Sequence, residues 1–353
     1  MHGNKSTILT QSGETVEATA PVIISASRST DIPAFYAKWF INRLRAGYCV
    51  WYNPFNQKPT YVSFANCKVV VFWTKNPKPL IPYLHELDER GIHYYFQFSL
   101  NDYDHEGFEP NVPRLEERIN TFKELSQLVG KERVIWRSDP LVVTPYLTPR
   151  DLLKKIWNVG NQLVGCTNKL VFSYIDILAY KKVQNNLVKE TNQFSRESIA
   201  TAEFTQSQMY EIAEGLVKCR EAWKDRYNWD VELATCGEKI DLEQFGIAHN
   251  RCVDGELMKR LWSDDKELLY FLNYGKLPDT DSLFGLSFDE PALTPTKMKD
   301  KGQRLACGCM ASKDIGMYNT CNHLCVYCYA NTSKEMVQNN LAKHSDKSES
   351  IIE

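Results

Sequence analysis

The sequence has no apolar run long enough to cross a bilayer. Val69-Val70-Val71-Phe72-Trp73, one of the longest, falls far short of the roughly 20 residues a membrane helix needs. It also has no surplus of either charge: lysine and arginine number 42, aspartate and glutamate 44, and the formal net charge is −2. Without a basic stripe, charge gives no support to nucleic-acid binding. The first residues are polar and lack the apolar core of a signal peptide. No internal repeat is evident, and no stretch rich in proline, glycine and serine marks a linker. What remains is ordinary globular composition, 43% hydrophobic and 24% charged. A chain of 353 residues can form two domains or one α/β barrel with additions. Eleven cysteines, an odd count without an export signal, fit metal ligation in a reducing cytosol better than a disulfide framework. A cytoplasmic protein is expected, with no membrane partner.

Three of those cysteines dominate the reading. Cys321, Cys325 and Cys328 stand in one tight loop, Tyr318-Asn319-Thr320-Cys321-Asn322-His323-Leu324-Cys325-Val326-Tyr327-Cys328-Tyr329. Three thiolates can hold three corners of a 4Fe–4S cluster and leave the fourth iron open to a small molecule. Zinc sites more often come as paired Cys-x-x-Cys knuckles or with histidines at set spacings, and His323 inside the loop keeps a Cys/His zinc site open. The Cys-x3-Cys-x2-Cys spacing, with the aromatic Tyr327 before the last cysteine, resembles the cluster motif of radical S-adenosylmethionine enzymes. The resemblance implies that the open iron chelates S-adenosylmethionine and that an electron from the cluster cleaves it to a 5′-deoxyadenosyl radical. It also implies that Tyr327 packs near the adenine.

Before the loop the chain has an α/β rhythm. Residues 6–20 read as a short hairpin. Strand candidates follow at Val22–Ser27, Val69–Thr74, Tyr94–Leu100, Arg133–Ser138, Leu170–Ile175, Trp229–Ala234 and Ile315–Asn319. Helices are expected over 33–46, 80–90, 114–129, 207–226 and from Ser333. Another opens at Thr148-Pro149-Arg150-Asp151, an N-cap, a first-turn proline and an acidic third position. Strands alternating with helices give a parallel sheet covered by helices. Seven strand candidates favour a full or partial parallel β/α (TIM-like) barrel over an open doubly wound sheet. The units read as a hairpin extension (1–20), a barrel core (21–235), an irregular cysteine-containing segment (236–313), the last strand with cluster loop and helix (314–343), and a disordered polar tail (344–353).

Strands covered on both faces should be continuously apolar, yet several carry polar residues near their C-terminal ends. Ser25 and Ser27 share a face, as do Gln97 and Ser99, and Arg137 and Asp139; Asp176 follows the fifth strand and Glu232 sits in the sixth. Buried charge must pair or meet a ligand. In a β/α barrel these strand ends form the active-site mouth. Arg137–Asp139 and Arg28–Asp31 could instead be internal ion pairs. Ser27, Arg28 and Asp31, at a helix start, are candidates for the methionine moiety of S-adenosylmethionine. Ser25, Gln97 and Arg137 join them as cofactor-binding candidates. Trp73 and Lys75 would point toward the same mouth, and Asp139, Asp176 and Glu232 are candidate acid–base groups.

A second cysteine set, Cys236, Cys252, Cys307 and Cys309, could ligate an auxiliary iron–sulfur cluster or a structural zinc, or consist of buried unligated thiols. Cys49, Cys67, Cys166 and Cys219 lie in or beside regular elements and read as packing residues.

Four further stretches carry a family resemblance: Ile24-Ser25-Ala26-Ser27-Arg28-Ser29-Thr30-Asp31-Ile32-Pro33-Ala34, Phe72-Trp73-Thr74-Lys75-Asn76-Pro77, Tyr94-Tyr95-Phe96-Gln97-Phe98, and Ser312-Lys313-Asp314-Ile315-Gly316-Met317-Tyr318-Asn319-Thr320-Cys321. Together with the loop they resemble the bacterial family called domain of unknown function 1848. The resemblance implies a radical S-adenosylmethionine-like enzyme with its cluster motif at the C-terminus, and hence a circular permutation in which the last strand plays the first. It further implies a reductant such as flavodoxin or ferredoxin, and a substrate, small or macromolecular, that the family name leaves open. The glycine-glycine-glutamate run common among radical S-adenosylmethionine enzymes is absent. The alternative is a non-catalytic barrel stapled by zinc or iron–sulfur, binding a partner or a nucleic acid.

Overall fold

The computed structural model describes residues 4–278, 298–300, 302–304 and 306–353. The chain opens on a hairpin, β1 (Asn4–Leu9) and β2 (Thr15–Ala20), paired antiparallel as expected. After β3 (Ile23–Ala26), the helix expected over 33–46 is two pieces, α1 (Ile32–Phe35) and α2 (Ala37–Ala46). A second hairpin, β4 (Tyr48–Tyr52) and β5 (Pro59–Ser63), has no counterpart in the sequence reading; with the first it forms a sheet in the order β1-β2-β5-β4.

The α/β rhythm then runs through β6 (Val69–Thr74), α3 (His85–Asp88), β7 (His93–Ser99), α4 (Leu115–Val129), β8 (Val134–Leu141), α5 (Pro149–Gln162), β9 (Lys169–Tyr174), α6 (Lys181–Glu190), α7 (Gln206–Tyr227) and β10 (Glu232–Thr235). The remaining elements are β11 (Ala248–His249), α8 (Gly255–Leu261), α9 (Lys266–Tyr274), β12 (Lys313–Asp314) and α10 (Lys334–Leu341). At α5 the expected capping box is formed: Thr148 Oγ1 accepts from the Asp151 amide at 3.3 Å, and Asp151 Oδ2 accepts from the Thr148 amide at 3.0 Å.

Eight parallel strands form the main sheet, in the order β12-β3-β6-β7-β8-β9-β10-β11. The last strand in sequence therefore lies beside the first of this sheet, with Lys313 opposite Ile24. Among the described residues β11 and β12 are its two edges, and no ladder between them closes a barrel. Alternation along each strand separates two cores. Ile24, Val70, Phe72, Phe96, Trp136 and Phe172 pack with helix residues such as Phe40, Phe122, Ile156 and Trp223. On the other face Ile23, Val69, Val71, Tyr95, Ile135 and Val171 meet Met258, Trp262, Leu268 and Leu272 around α8 and α9. Thus the described part of segment 236–313 covers the second face of the sheet, while residues 279–297, 301 and 305 of it lie outside the described residues.

Three expectations are corrected. The last strand is Lys313–Asp314 rather than Ile315–Asn319, because from Gly316 the backbone leaves the ladder to enter the cysteine loop. The helix over 80–90 reduces to a 3₁₀ turn, Ile81–Tyr83, and the single turn α3. The tail beyond His344 is packed, not disordered. Trp39 Nε1 donates to the Ser348 carbonyl at 3.0 Å, the Val50 amide donates to the Glu349 carbonyl at 2.8 Å, and Ile351 is buried. Its polar side chains concealed a segment held by backbone acceptors. No helix among the described residues is long and apolar enough to cross a membrane.

Candidate metal and ligand site

The loop that follows β12 is closed on itself. The Asn319 amide donates to the Ala330 carbonyl at 3.0 Å, the Cys328 amide to the Cys325 carbonyl at 3.0 Å, and Asn331 Nδ2 to the Cys321 carbonyl at 2.8 Å. The segment after β7 clasps it: the Val326 amide donates to the Phe108 carbonyl at 3.0 Å, and Asn111 Nδ2 to the Asn322 carbonyl at 2.9 Å. From the other side Tyr36 donates to the Thr320 carbonyl at 2.6 Å. Gly316 is required at the loop entrance, since a Cβ there would lie 1.8 Å from Ser27 Oγ.

Cys325 is buried, and Cys321 and Cys328 are half-buried. Burial pushes the Cys321 and Cys325 thiols up, and the thiols are near enough to raise one another: Cys328 acts on Cys321, and both act on Cys325. Opposing this, the backbone at His323 and Asp31 lowers Cys321, Lys75 lowers Cys325, and the Ala330 amide donates to Cys328 Sγ at 3.3 Å. Amide donors and an ammonium around three sulfurs fit a thiolate-held metal centre. Among the described residues no group of three or more His, Cys, Asp or Glu side chains is arranged to hold a metal ion as it stands. A cubane distributes its ligands over separate irons, a wider arrangement than one ion demands. His323 Nε2 is 2.8 Å from Asp31 Oδ2, while its buried Nδ1 has no hydrogen-bond partner.

Most of the predicted strand-end groups come together at one end of the sheet, but bonded to one another. Ser25 Oγ lies 2.7 Å from Ser312 Oγ, and Ser27 donates to Asp314 at 2.8 Å. Gln97 Oε1 accepts from Arg137 Nη1 at 3.0 Å, and Arg137 Nε donates to Asp139 Oδ1 at 3.2 Å, which is the internal ion pair. Arg28 pairs with Asp300 at 3.2 Å rather than with Asp31 and stands 5.1 Å from the Trp73 ring centroid. Asp31 is fully engaged: it caps α1 through the Ala34 amide at 3.0 Å, and its Oδ2 accepts from the Lys75 amide at 2.7 Å beside His323. It is a structural hub, not an open ligand group. Of these six cofactor-binding candidates on the strands (Ser25, Ser27, Arg28, Asp31, Gln97, Arg137), only Arg28 keeps a buried side-chain atom, Nη2, without a partner.

The acid–base candidates fare differently. Asp139 is neutralised by Arg137, and Asp176 sits half-exposed, paired with Arg304. Glu232 is displaced altogether. It begins β10 at the opposite end of the sheet, exposed and paired with Lys169 at 2.9 Å, because the strand starts at Glu232 instead of enclosing it.

A buried network beside the loop was only half foreseen. Lys75 Nζ donates to Glu109 at 2.7 Å and to Tyr327 Oη at 3.0 Å, Tyr327 also donates to Glu109, and Asn101 Nδ2 donates to Glu109 at 3.0 Å. Arg118 is 3.6 Å from the other Glu109 oxygen. Burial alone would raise the Glu109 carboxyl; Lys75 and Arg118 outweigh it and hold it at about 2. Tyr327 thus carries its hydroxyl into an ion-pair network. Lys75 was visible at a strand end, whereas Glu109 lies in a long loop where no periodicity singles it out.

The second cysteine set is gathered on the α8/α9 side of the sheet. Cys236 Sγ and Cys252 Sγ are 3.4 Å apart, the Cys252 amide donates to Cys309 Sγ at 3.1 Å, and Cys309 interacts in turn with Cys252 and Cys307. Cys49 and Cys67 are buried apart from both sets.

No curated protein and no solved structure matches the chain. One family model does, over residues 23–330, from the first strand of the main sheet through the last cysteine of the loop and nearly to its close. The chain therefore belongs to the family described as Domain of unknown function (DUF1848).

Proposed function

We propose that the protein is a radical S-adenosylmethionine-like enzyme in which Cys321, Cys325 and Cys328 hold a 4Fe–4S cluster. The observation that carries this reading is the loop itself: three thiols in one closed, hydrogen-bonded turn, with the Ala330 amide donating to Cys328 Sγ and Lys75 acting on Cys325. When bound, such a cluster supplies the electron that reductively cleaves S-adenosylmethionine. The eight-stranded order, with β12 beside β3, is the order a permuted β/α barrel would have.

The chain's own groups then have these tasks. Arg28 offers the unpartnered Nη2 as a donor for a carboxylate, supported by its stacking on Trp73. The Lys75–Glu109–Tyr327 network closes the loop against β6 and β7 and excludes water from its flank. Tyr327 orients through its hydroxyl. Asp31 positions the loop through His323 and so acts indirectly. Asp139 and Asp176 remain the acid–base candidates at the strand ends. The substrate, small or macromolecular, and the reductant, of flavodoxin or ferredoxin type, are unassigned.

The test is anaerobic reconstitution with iron and sulfide, reduction, and addition of S-adenosylmethionine. Formation of 5′-deoxyadenosine that disappears in Cys325→Ala is the expected result. A protein that stays colourless and makes none would leave the non-catalytic, metal-stapled module in its place.

A further inference from the structure

We propose that Cys236, Cys252, Cys307 and Cys309 ligate a second thiolate-held metal centre, distinct from the loop of Cys321, Cys325 and Cys328. The fold brings these thiols from three separated segments to one place. Cys236 prolongs β10, its amide donating to the Phe172 carbonyl of β9 at 2.9 Å. Cys252 follows β11, and Cys307-Gly308-Cys309 forms a strap bound to the same region through the Met310 amide and the Val253 carbonyl at 3.0 Å.

The surroundings of the sulfurs separate them from the packing cysteines. Cys67 and Cys166 donate their S–H to the carbonyls of Val69 and Val164, as small buried thiols do. Two of the clustered sulfurs instead accept from N–H groups. Cys252 Sγ receives Arg137 Nη1 at 2.9 Å and Asn250 Nδ2 at 3.5 Å, and Cys309 Sγ receives the Cys252 amide at 3.1 Å. N–H donors of this kind serve thiolates. Adjacent buried thiolates repel one another unless a cation lies between them. Arg137 is also committed to Asp139 and Gln97, so it cannot neutralise the set alone. A thiophilic metal supplies the missing charge, and the four-sulfur donor set is one that zinc and iron–sulfur clusters share. In the present arrangement Cys236 and Cys252 Sγ lie 3.4 Å apart and Cys309 interacts with both Cys252 and Cys307, and loading spreads the sulfurs into a shell; the glycine between Cys307 and Cys309 permits that adjustment. The centre would pin α8, α9 and the strap onto the second face of the sheet.

This inference does not rest on the radical-enzyme reading. It is tested on the full chain carrying Cys321→Ser, Cys325→Ser and Cys328→Ser, prepared anaerobically and loaded in parallel with zinc or with iron and sulfide. The triple variant is expected to retain about one zinc or about four irons with sulfide per chain, which metal and sulfide analysis distinguishes. Adding Cys307→Ser and Cys309→Ser should abolish that retention. Because these changes can impair folding, the single Cys307→Ser variant is titrated with cobalt(II), and thiolate-to-cobalt absorption weaker than that of its parent is expected. The proposal is overturned if the triple variant holds neither metal, if its metal survives loss of Cys307 and Cys309, or if mass analysis finds a Cys236–Cys252 disulfide in its place.

Discussion

Asp31 and His323 lie 292 residues apart in sequence and meet in the interior, with Nε2 2.8 Å from Oδ2. The same carboxylate caps α1 and accepts from the Lys75 amide, so one side chain ties the cysteine loop to the first and second strands of the main sheet. Asp31→Ala removes a cap worth about 1 kcal/mol and orphans further donors at about 1–3 kcal/mol each. A loss of about 3 kcal/mol in urea unfolding is expected. His323→Ala should also destabilise but leave the iron content of reconstituted protein unchanged. Loss of iron without unfolding would make the histidine a ligand.

Glu109 gives a pH dependence with a definite sign. Its folded carboxyl is held at about 2, below the ordinary 4.5, so its contribution is fully present above about 4.5 and is lost as pH falls toward about 2. Glu109→Gln should lower stability at neutral pH by about 3–5 kcal/mol, because Lys75 loses its buried counter-ion. It should also flatten the stability profile between those two pH values. Equal acid slopes in variant and wild type would assign the titration elsewhere.

Gly316→Ala tests the close approach of the loop entrance to β3. A Cβ 1.8 Å from Ser27 Oγ forces backbone or Ser27 to move, at a cost of about 1–3 kcal/mol. Thermal unfolding should show the loss, and iron retention should fall with it. An unchanged melting temperature would mean that Ser27 yields freely.

Removal of residues 346–353 should destabilise the fold, not leave it unaffected as for a loose tail. The deletion strips partners from Trp39, Asn42 and Val50 and removes buried Ile351. At about 1 kcal/mol per hydrogen bond and 1.5–3 kcal/mol for the side chain, a loss of about 3 kcal/mol or more is expected in denaturant unfolding.

Glu232→Ala is the contrasting case. An exposed pair with Lys169, remote from the loop, should change stability by no more than about 0.5 kcal/mol and leave 5′-deoxyadenosine formation intact. A large fall in activity would reinstate it as a site residue.

Local patterns in the sequence determined much of this protein. The apolar runs of β3, β6, β7, β8 and β9, the capping box of α5 and the Cys-x3-Cys-x2-Cys spacing all depend on neighbours within a few residues. Residue type at a strand end also announced Arg137 and Asp139 as either ligand groups or an internal ion pair, and the fold pairs them. What only the tertiary structure decided depends on contacts between distant segments. Glu109 reaches Lys75 and Tyr327 from a loop without periodicity. The polar tail is ordered because its carbonyls satisfy Trp39 and Val50. Glu232 lost its candidacy because the strand began three residues later than its apolar pattern suggested, placing it at the wrong end of the sheet. Three-dimensional hydrogen bonding and burial assign these roles, and neither leaves a local trace in the order of the residues.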